Sequence, residues 1–331
     1  MKYNTATLDN GLRAIHCPSA SPVVYCGYEV CAGTRDEKEG EEGMAHFCEH
    51  TTFKGTRHRS AMQILNRLES VGGDLNAFTN KEDTVYYSAI LKNHFPRAVD
   101  LLTDIVFGST YPQAEIDKEV EVICDEIESY NDSPAELIYD EFENILFKGS
   151  PLGHNILGTA EQVRAFKTED ALRFTRKLYR PDNAIFFAYG DIDFKKLVKL
   201  IQKALGECPK DRELACSADC KSAETPTDER IAEETPTKER ITEGTPTGET
   251  PTEEMEAGDA NHKVQSSKFN VQSKVAGQTI VMQKNTHQAH VMIGTRAYDV
   301  NDDRRMPLYL LNNMLGGPGM NAKLNLALRE H

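Results

Sequence analysis

No stretch of this chain is long and apolar enough to cross a bilayer, and its opening residues, MKYNTATLDNGLRAIHC, lack the apolar core of a secretory signal. The expectation from these absences is a cytoplasmic protein with no membrane partner. Basic residues are scarce as well: 38 Lys and Arg stand against 52 Asp and Glu, for a formal net charge of −14. Without a basic stripe to neutralise phosphates, nucleic acid is excluded as a partner, and the acidity serves solubility. The eight cysteines, Cys17, Cys26, Cys31, Cys48, Cys124, Cys208, Cys216 and Cys220, lack the paired spacing of a zinc ribbon. Most read as reduced, small core residues; a weak metal or redox pair at Cys216 and Cys220 is the minor alternative. What the chain does have is length, since 331 residues suffice for two domains with substantial cores.

It also has two histidines and a glutamate within five positions, His46, Glu49 and His50, in the stretch EGMAHFCEHTTFKGT. On a helix, residues four apart leave the same face one turn from each other, so both imidazoles can reach one metal ion. Glu49 neighbours His46 at the i,i+3 spacing, where its carboxylate can sit beside the metal without binding it. It is then placed to take a proton from water that the metal activates. The pattern is H-x-x-E-H, the inverse of the zincin motif.

Two histidines leave a catalytic zinc site one ligand short. The segment AEIDKEVEVICDEIESYNDSP offers that ligand, because Ile116, Val120, Ile123 and Ile127 recur at helical spacing and bring acidic residues along with them. Glu119 and Glu126 are seven apart, two turns along one face. One could bind the metal while the other orients its neighbours. Spacing does not choose among Glu119, Glu121, Glu126 and Glu128, and acidic residues on such a helix commonly form only its wet side.

Elsewhere residues 1–207 alternate strand and helix signals in an α+β manner. TATLDNGLRAIHC predicts a hairpin around Asp9-Asn10-Gly11, and VVYCGYEVCAGT a half-buried strand. The metal helix should begin near Glu41 and end before Gly55, and a second helix should run from Ser60 to the Gly72-Gly73 pair. DLNAFTNKEDTVYYSAIL carries strand signals again. Ser133-Pro134-Ala135-Glu136 has the form of a capping box with proline at the first helical position, which ends the preceding helix by Asp132. NAIFFAYGDID reads as a buried strand and FKKLVKLIQKALGE as an amphipathic helix.

Residues 208–265 differ in kind. ETPTDERIAE and ETPTKERITE repeat at a period of ten, and the segment holds 15 acidic against 7 basic residues, eight of the chain's 14 excess negative charges. It cannot bury enough apolar surface to offset its ordering entropy, so it reads as a flexible linker. In residues 266–331, GQTIVMQKNTHQAHVMIGTRAYDV predicts two strands and DRRMPLYLLNNMLGG a helix with an apolar face. His287 and His290 read as surface residues flanking a strand.

The runs AGTRDEKEGEEGMAHFCEHTTFKGT, LESVGGDLNAFTNKEDTVYY, EVEVICDEIESYNDSP and PLGHNILGT, in that order, resemble the pitrilysin family, in its mitochondrial-processing-peptidase-like branch. The resemblance implies two homologous α/β sandwich domains and one zinc per chain, held by His46, His50 and the glutamate 76 positions after His50, which is Glu126. It makes Glu49 the catalytic base and Glu119 the supporting acidic residue of the catalytic set. It places an extended peptide along LNAFT, touching Asn76 and Ala77 with Phe78 lining a side-chain pocket, and it puts Arg329 at a substrate-holding arginine position. The tyrosine that accompanies this arginine in the family is absent, so the second domain is expected to be incomplete, to expose Leu308, Leu311 and Leu315, and to leave cleavage weak. The implied activity is zinc-dependent hydrolysis of peptides or unfolded segments. The implied partners are peptide substrates and either a second copy or a paired family subunit; a non-catalytic binding subunit is the alternative reading.

Overall fold

Short segments, most of them rich in β-branched and aromatic residues, build the sheet. In the computed structural model, which describes residues 2–207, 279–283, 288–298, 301–318 and 322–329, six of them pair. They are β1 (Asn4–Thr7), β2 (Arg13–Pro18), β3 (Val23–Val30), β4 (Asp74–Thr79), β5 (Thr84–Leu91) and β6 (Ala184–Gly190), in the order β1-β2-β6-β3-β5-β4. β2 and β6 run parallel and the other neighbours are antiparallel. The expected hairpin joins β1 to β2 with Ala6 opposite Ala14.

One face of the sheet forms the core. Val24, Cys26, Tyr28 and Val30 of β3, Tyr86 and Ile90 of β5, and Phe186 and Ala188 of β6 are all buried, whereas Tyr25 and Tyr189 look the other way and remain exposed. Helices α1 (Met44–Thr52), α2 (Ala61–Glu69), α3 (Phe95–Gly108), α4 (Gln113–Asn131), α5 (Pro134–Leu146), α6 (Ala160–Ala165), α7 (Thr168–Leu178) and α8 (Phe194–Glu207) complete this part of the chain. α3 lies against β3 and β5, where the Tyr28 hydroxyl bonds Thr103 Oγ1 at 2.9 Å and its ring meets Phe107 edge-on. On α4, Ile116, Val120, Ile123 and Ile127 are buried as their period predicts. The result is an α+β fold in which β4 is an edge strand.

Two expectations fail. α5 begins at Pro134, but Ser133 makes no side-chain cap bond; Glu136 donates its backbone N–H to the Ser133 carbonyl instead. The strands expected in residues 277–300 are not formed among the described residues, and none of them enters the sheet. Alternating sequence makes a strand only where a neighbour supplies the ladder bonds, and here no neighbouring strand does so. Within this segment Arg296 reaches the end of α5, donating to the Leu146 carbonyl at 2.7 Å and lying over the Phe147 ring.

The helix expected after it forms as α9 (Arg305–Gly316), followed by α10 (Lys323–Arg329). α9 leaves Met306, Tyr309, Leu310, Leu311, Met314 and Leu315 exposed, while Leu308 is partly buried. The described residues of 1–220 and 286–331 cluster as one compact unit. The linker 208–265 and His287 lie outside the described residues, and His290 is exposed. Among the described residues no helix is long and apolar enough to cross a membrane.

Candidate metal centre

The site is made by two helices meeting. α1 carries His46, Glu49 and His50, and α4, packed against it, carries Glu119 and Glu126. α1 is short, and its buried residues Phe47, Cys48, Thr51 and Thr52 lock its orientation. The opposite stripe is thereby turned toward α4, as the one-turn spacing of the two histidines requires.

His50 Nε2 lies 3.2 Å from Glu126 Oε2, and His46 Nε2 lies 3.7 Å from the same oxygen. The imidazole rings of His46 and His50 stand edge-to-face, with centroids 4.6 Å apart. Tetrahedral zinc with bonds of roughly 2.0–2.2 Å separates its ligand atoms by about 3.3–3.5 Å, so these spacings fit one ion shared by three side chains. Among the described residues this trio is the group of His, Cys, Asp or Glu whose ligand atoms come within metal-binding reach of one another.

His46 is the informative member. It is buried, its Nδ1 has no partner, and its Nε2 stands beyond hydrogen-bond range of Glu126. A cation held between His46, His50 and Glu126 would bond the Nε2 that Glu126 leaves unpaired; Nδ1 stays without a partner either way. Burial, followed by the charge of His50, pulls its pKa down to about 4, which leaves it neutral and able to bind a cation.

His50 is set differently. Its Nδ1 is bonded to Glu119 Oε1 at 3.1 Å, which presents Nε2 toward Glu126. Burial pulls its pKa down, but the bonds to Glu119 and Glu126 and the charges of Glu126 and Glu49 outweigh that and lift it to about 9. Burial pushes Glu119 up, yet the bonds from His50 and from Lys54 Nζ leave it below the ordinary value. The bond from His50 is the largest influence holding Glu126 low. Of the four glutamates that spacing left open, Glu126 meets both histidines and Glu119 buttresses one of them; Glu121 instead pairs with Arg164.

Glu49 sits beside this trio without joining it. Burial raises its pKa despite the bond that Thr79 Oγ1 donates to its Oε2 at 2.5 Å. Thr79 closes β4, the strand expected to receive a peptide, so the edge strand and the carboxylate are in direct contact. On that strand Asn76 and Phe78 are exposed, Ala77 is half-buried, and Asn76 Oδ1 accepts from the Ala77 N–H at 2.8 Å. Phe78 packs edge-on against Tyr87. Arg329 is the last residue of α10, and its side chain lies outside the described residues. Sequence reasoning gave no role to Thr79, Lys54, Glu37 or His154; only the PLGHNILGT run hinted that His154 belonged near the site.

Comparison with known proteins agrees with this geometry. Residues 15–160 match the family described as insulinase (peptidase family M16), and residues 165–331 match the peptidase M16 inactive domain. The second match begins before β6, which lies in the middle of the sheet that flanks the metal centre. A zinc protease of Rickettsia bellii is 40% identical over 60% of this chain and 48% of its own length. The mitochondrial-processing peptidase subunit beta of Saccharomyces cerevisiae is 36% identical over 62% of this chain and 45% of its own. The crystal structure of a protease from Helicobacter pylori superposes with a TM-score of 0.61 at 25% identity, covering 68% of this chain and 53% of that one. The chain spans about half the length of these curated relatives. With matches along nearly its whole length to domains of one family, and the H-x-x-E-H pair folded against its glutamate, the chain belongs to the M16 (insulinase, or pitrilysin) peptidase family.

Proposed function

We propose that the chain is a zinc-dependent endopeptidase acting on peptides or unfolded segments, with His46, His50 and Glu126 as ligands to one zinc and Glu49 as the general base. The observation that carries this reading is the convergence of His46 Nε2 and His50 Nε2 on one oxygen of Glu126, 3.7 and 3.2 Å away. Bound there, zinc would supply Lewis acidity, which polarises a peptide carbonyl and makes water nucleophilic near neutral pH. Two neutral imidazoles and one carboxylate match the donor set of a catalytic rather than a structural site.

The chain's own groups do the rest. Glu119 fixes the tautomer and rotation of His50. Thr79 holds Glu49 Oε2, so Oε1 takes the proton from the attacking water and later returns it to the leaving amine. A carboxylate whose pKa is raised by burial accepts that proton more readily at neutral pH. β4 offers its open edge to an extended peptide, with Asn76, Ala77 and Phe78 in contact. Affinity drawn from main-chain hydrogen bonds makes sequence preference broad.

The organisation proposed with this function is a peptidase domain over residues 1–207, a linker over 208–265 and part of a second domain over 266–331, where Arg329 helps hold substrate. The yeast relative is a subunit, so the partner proposed here is a second family subunit or another copy of this chain.

Elemental analysis and a quenched-peptide assay test the reading together. The expected result is about one zinc per chain, lost in a His46→Ala, His50→Ala double variant. Glu49→Gln should keep the zinc and lose ~10²–10⁴-fold in cleavage rate. Zinc retained undiminished in the double variant would overturn the ligand assignment, and zinc lost in Glu49→Gln would overturn the role of the base.

A further inference from the structure

The metal helix has no cap of its own. The residue before it is Gly43, with φ +94 and no side chain to offer. Its exposed amides are satisfied by a remote carboxylate instead: Glu37 Oε1 accepts from the Ala45 N–H at 2.8 Å, and Oε2 accepts from the Gly43 N–H at 3.1 Å. An acidic group at a helix N-terminus is favourable both as a direct acceptor and against the helix dipole. The Glu37 side chain is fully buried, and its remaining partner is His154, whose Nε2 lies 2.9 Å from Oε2.

His154 comes from the loop that follows α5, within the PLGHNILGT run, and its carbonyl accepts from Lys81 Nζ in the turn joining β4 to β5. The same loop lies directly on the start of α1. A Cβ on Gly43 would fall 2.7 Å from the Leu157 carbonyl oxygen, and one on Gly158 only 2.2 Å from that of Glu42. Glu42 is also bonded by Gln162. One buried carboxylate thus ties together the first turn of α1, the loop after α5 and, through Lys81, the hairpin that carries β4.

We infer that Glu37 and His154 are positioning residues for the metal centre: the carboxylate, held by the imidazole, fixes the first turn of α1 and with it the placement of His46 against His50 and Glu126. His46 is only the third residue of that helix, whereas His50 lies toward an end that is anchored separately. There Thr52 Oγ1 bonds the Tyr111 and Tyr86 hydroxyls at 3.2 and 3.3 Å, and Ser109 Oγ bonds the Thr52 carbonyl at 2.7 Å. Releasing Glu37 therefore loosens His46 before it loosens His50. The inference rests on the metal-centre reading and does not depend on peptidase activity.

The test is zinc affinity of the full chain by competition with a chelator, read beside thermal melting and amide exchange of the metal-free protein. His154→Ala should weaken zinc by ~10–100-fold and speed exchange at Gly43 and Ala45, with the melting transition retained. His154→Gln, which keeps an N–H donor toward Glu37, should recover most of the affinity. Glu37→Gln serves as a second variant, because it keeps the side-chain volume while setting an N–H₂ against backbone donors. Wild-type affinity in a folded His154→Ala chain, with slow exchange at both amides, would overturn the inference alone. Zinc bound equally well by a His46→Ala chain would overturn the metal centre and this inference with it.

Discussion

At the scale of single residues, the two histidines of one motif hold opposite protonation states in the metal-free chain. His46 is neutral above about 4, whereas His50 stays protonated up to about 9 because Glu119 and Glu126 hold its proton. A metal can take His50 only by displacing that proton. Zinc affinity should therefore climb close to tenfold per pH unit from about 6.5 toward 9 on account of His50, and His46 should add no slope there. Stability of the metal-free fold should run the other way. A pKa raised from 6.5 to about 9 gives a contribution that is complete below 6.5 and disappears as pH rises through 9. Calorimetric zinc titrations in buffers of different ionisation enthalpy measure the proton released; a value near zero at pH 7.5 would show that His50 is already neutral. The pairing of His46 with His50 was legible in the sequence because helix periodicity alone sets it. The glutamate that faces them was not set by spacing: Glu119, Glu121, Glu126 and Glu128 all ride one helix, only the family resemblance singled out Glu126, and it is the packing of α4 on α1 that brings Glu126 toward both histidines.

Among the elements, a clear period made several legible but not every one that carries it: α7, with Ala171, Phe174 and Thr175 buried along one side, was not read. β3, β5 and β6 show their alternation, and α4 and α8 their apolar stripe. α3 was missed although its apolar positions recur at helical spacing: Arg97, Asp100, Thr103 and Asp104 interrupt them, and the burial of Thr103 and Asp104 beside Leu101, Leu102, Ile105 and Val106 is set by packing, which the sequence does not show. The contact between the start of α1 and the loop after α5 was illegible for another reason: the Glu37–His154 pair and the close approach of Gly43 and Gly158 to backbone join segments far apart in the chain, which no local period encodes. It is testable at Gly158, whose φ is +67 and whose Cβ would meet the Glu42 carbonyl. Gly158→Ala should combine left-handed strain with that clash and cost ~1–3 kcal/mol, seen as a melting temperature lower by roughly 2–10 °C. Zinc affinity should fall with it, since the displaced segment begins the metal helix. A Gly158→Ala chain that melts and binds zinc like the parent would show that the loop does not bear on α1.

Across the whole molecule, one strand links the edge proposed to receive a peptide to the candidate metal centre, through the bond from Thr79 to Glu49. Among the described residues β4 pairs with β5 on one side and with no strand on the other, and edge strands of this kind invite pairing with another chain. Its helix-facing side ends in Thr79, bonded to Glu49, and its opposite side presents Asn76 and Phe78. A peptide that adds to this edge would therefore lie beside the base while its side chains reach the open sheet face, where Phe78 packs on Tyr87 and Tyr25 meets Tyr189. Binding and turnover should then separate by residue. Phe78→Ala, measured by peptide affinity in the Glu49→Gln background so that no cleavage intervenes, should weaken binding by about tenfold through lost apolar contact and leave zinc content unchanged. Thr79→Val should do the reverse: removing the hydroxyl while keeping the shape frees the Glu49 carboxylate, so kcat should fall by about tenfold or more with KM little changed, and Thr79→Ser should restore it. Should Thr79→Val raise KM at constant kcat, Thr79 would belong to peptide binding alone, and the proposed link from the edge strand to the base would be wrong.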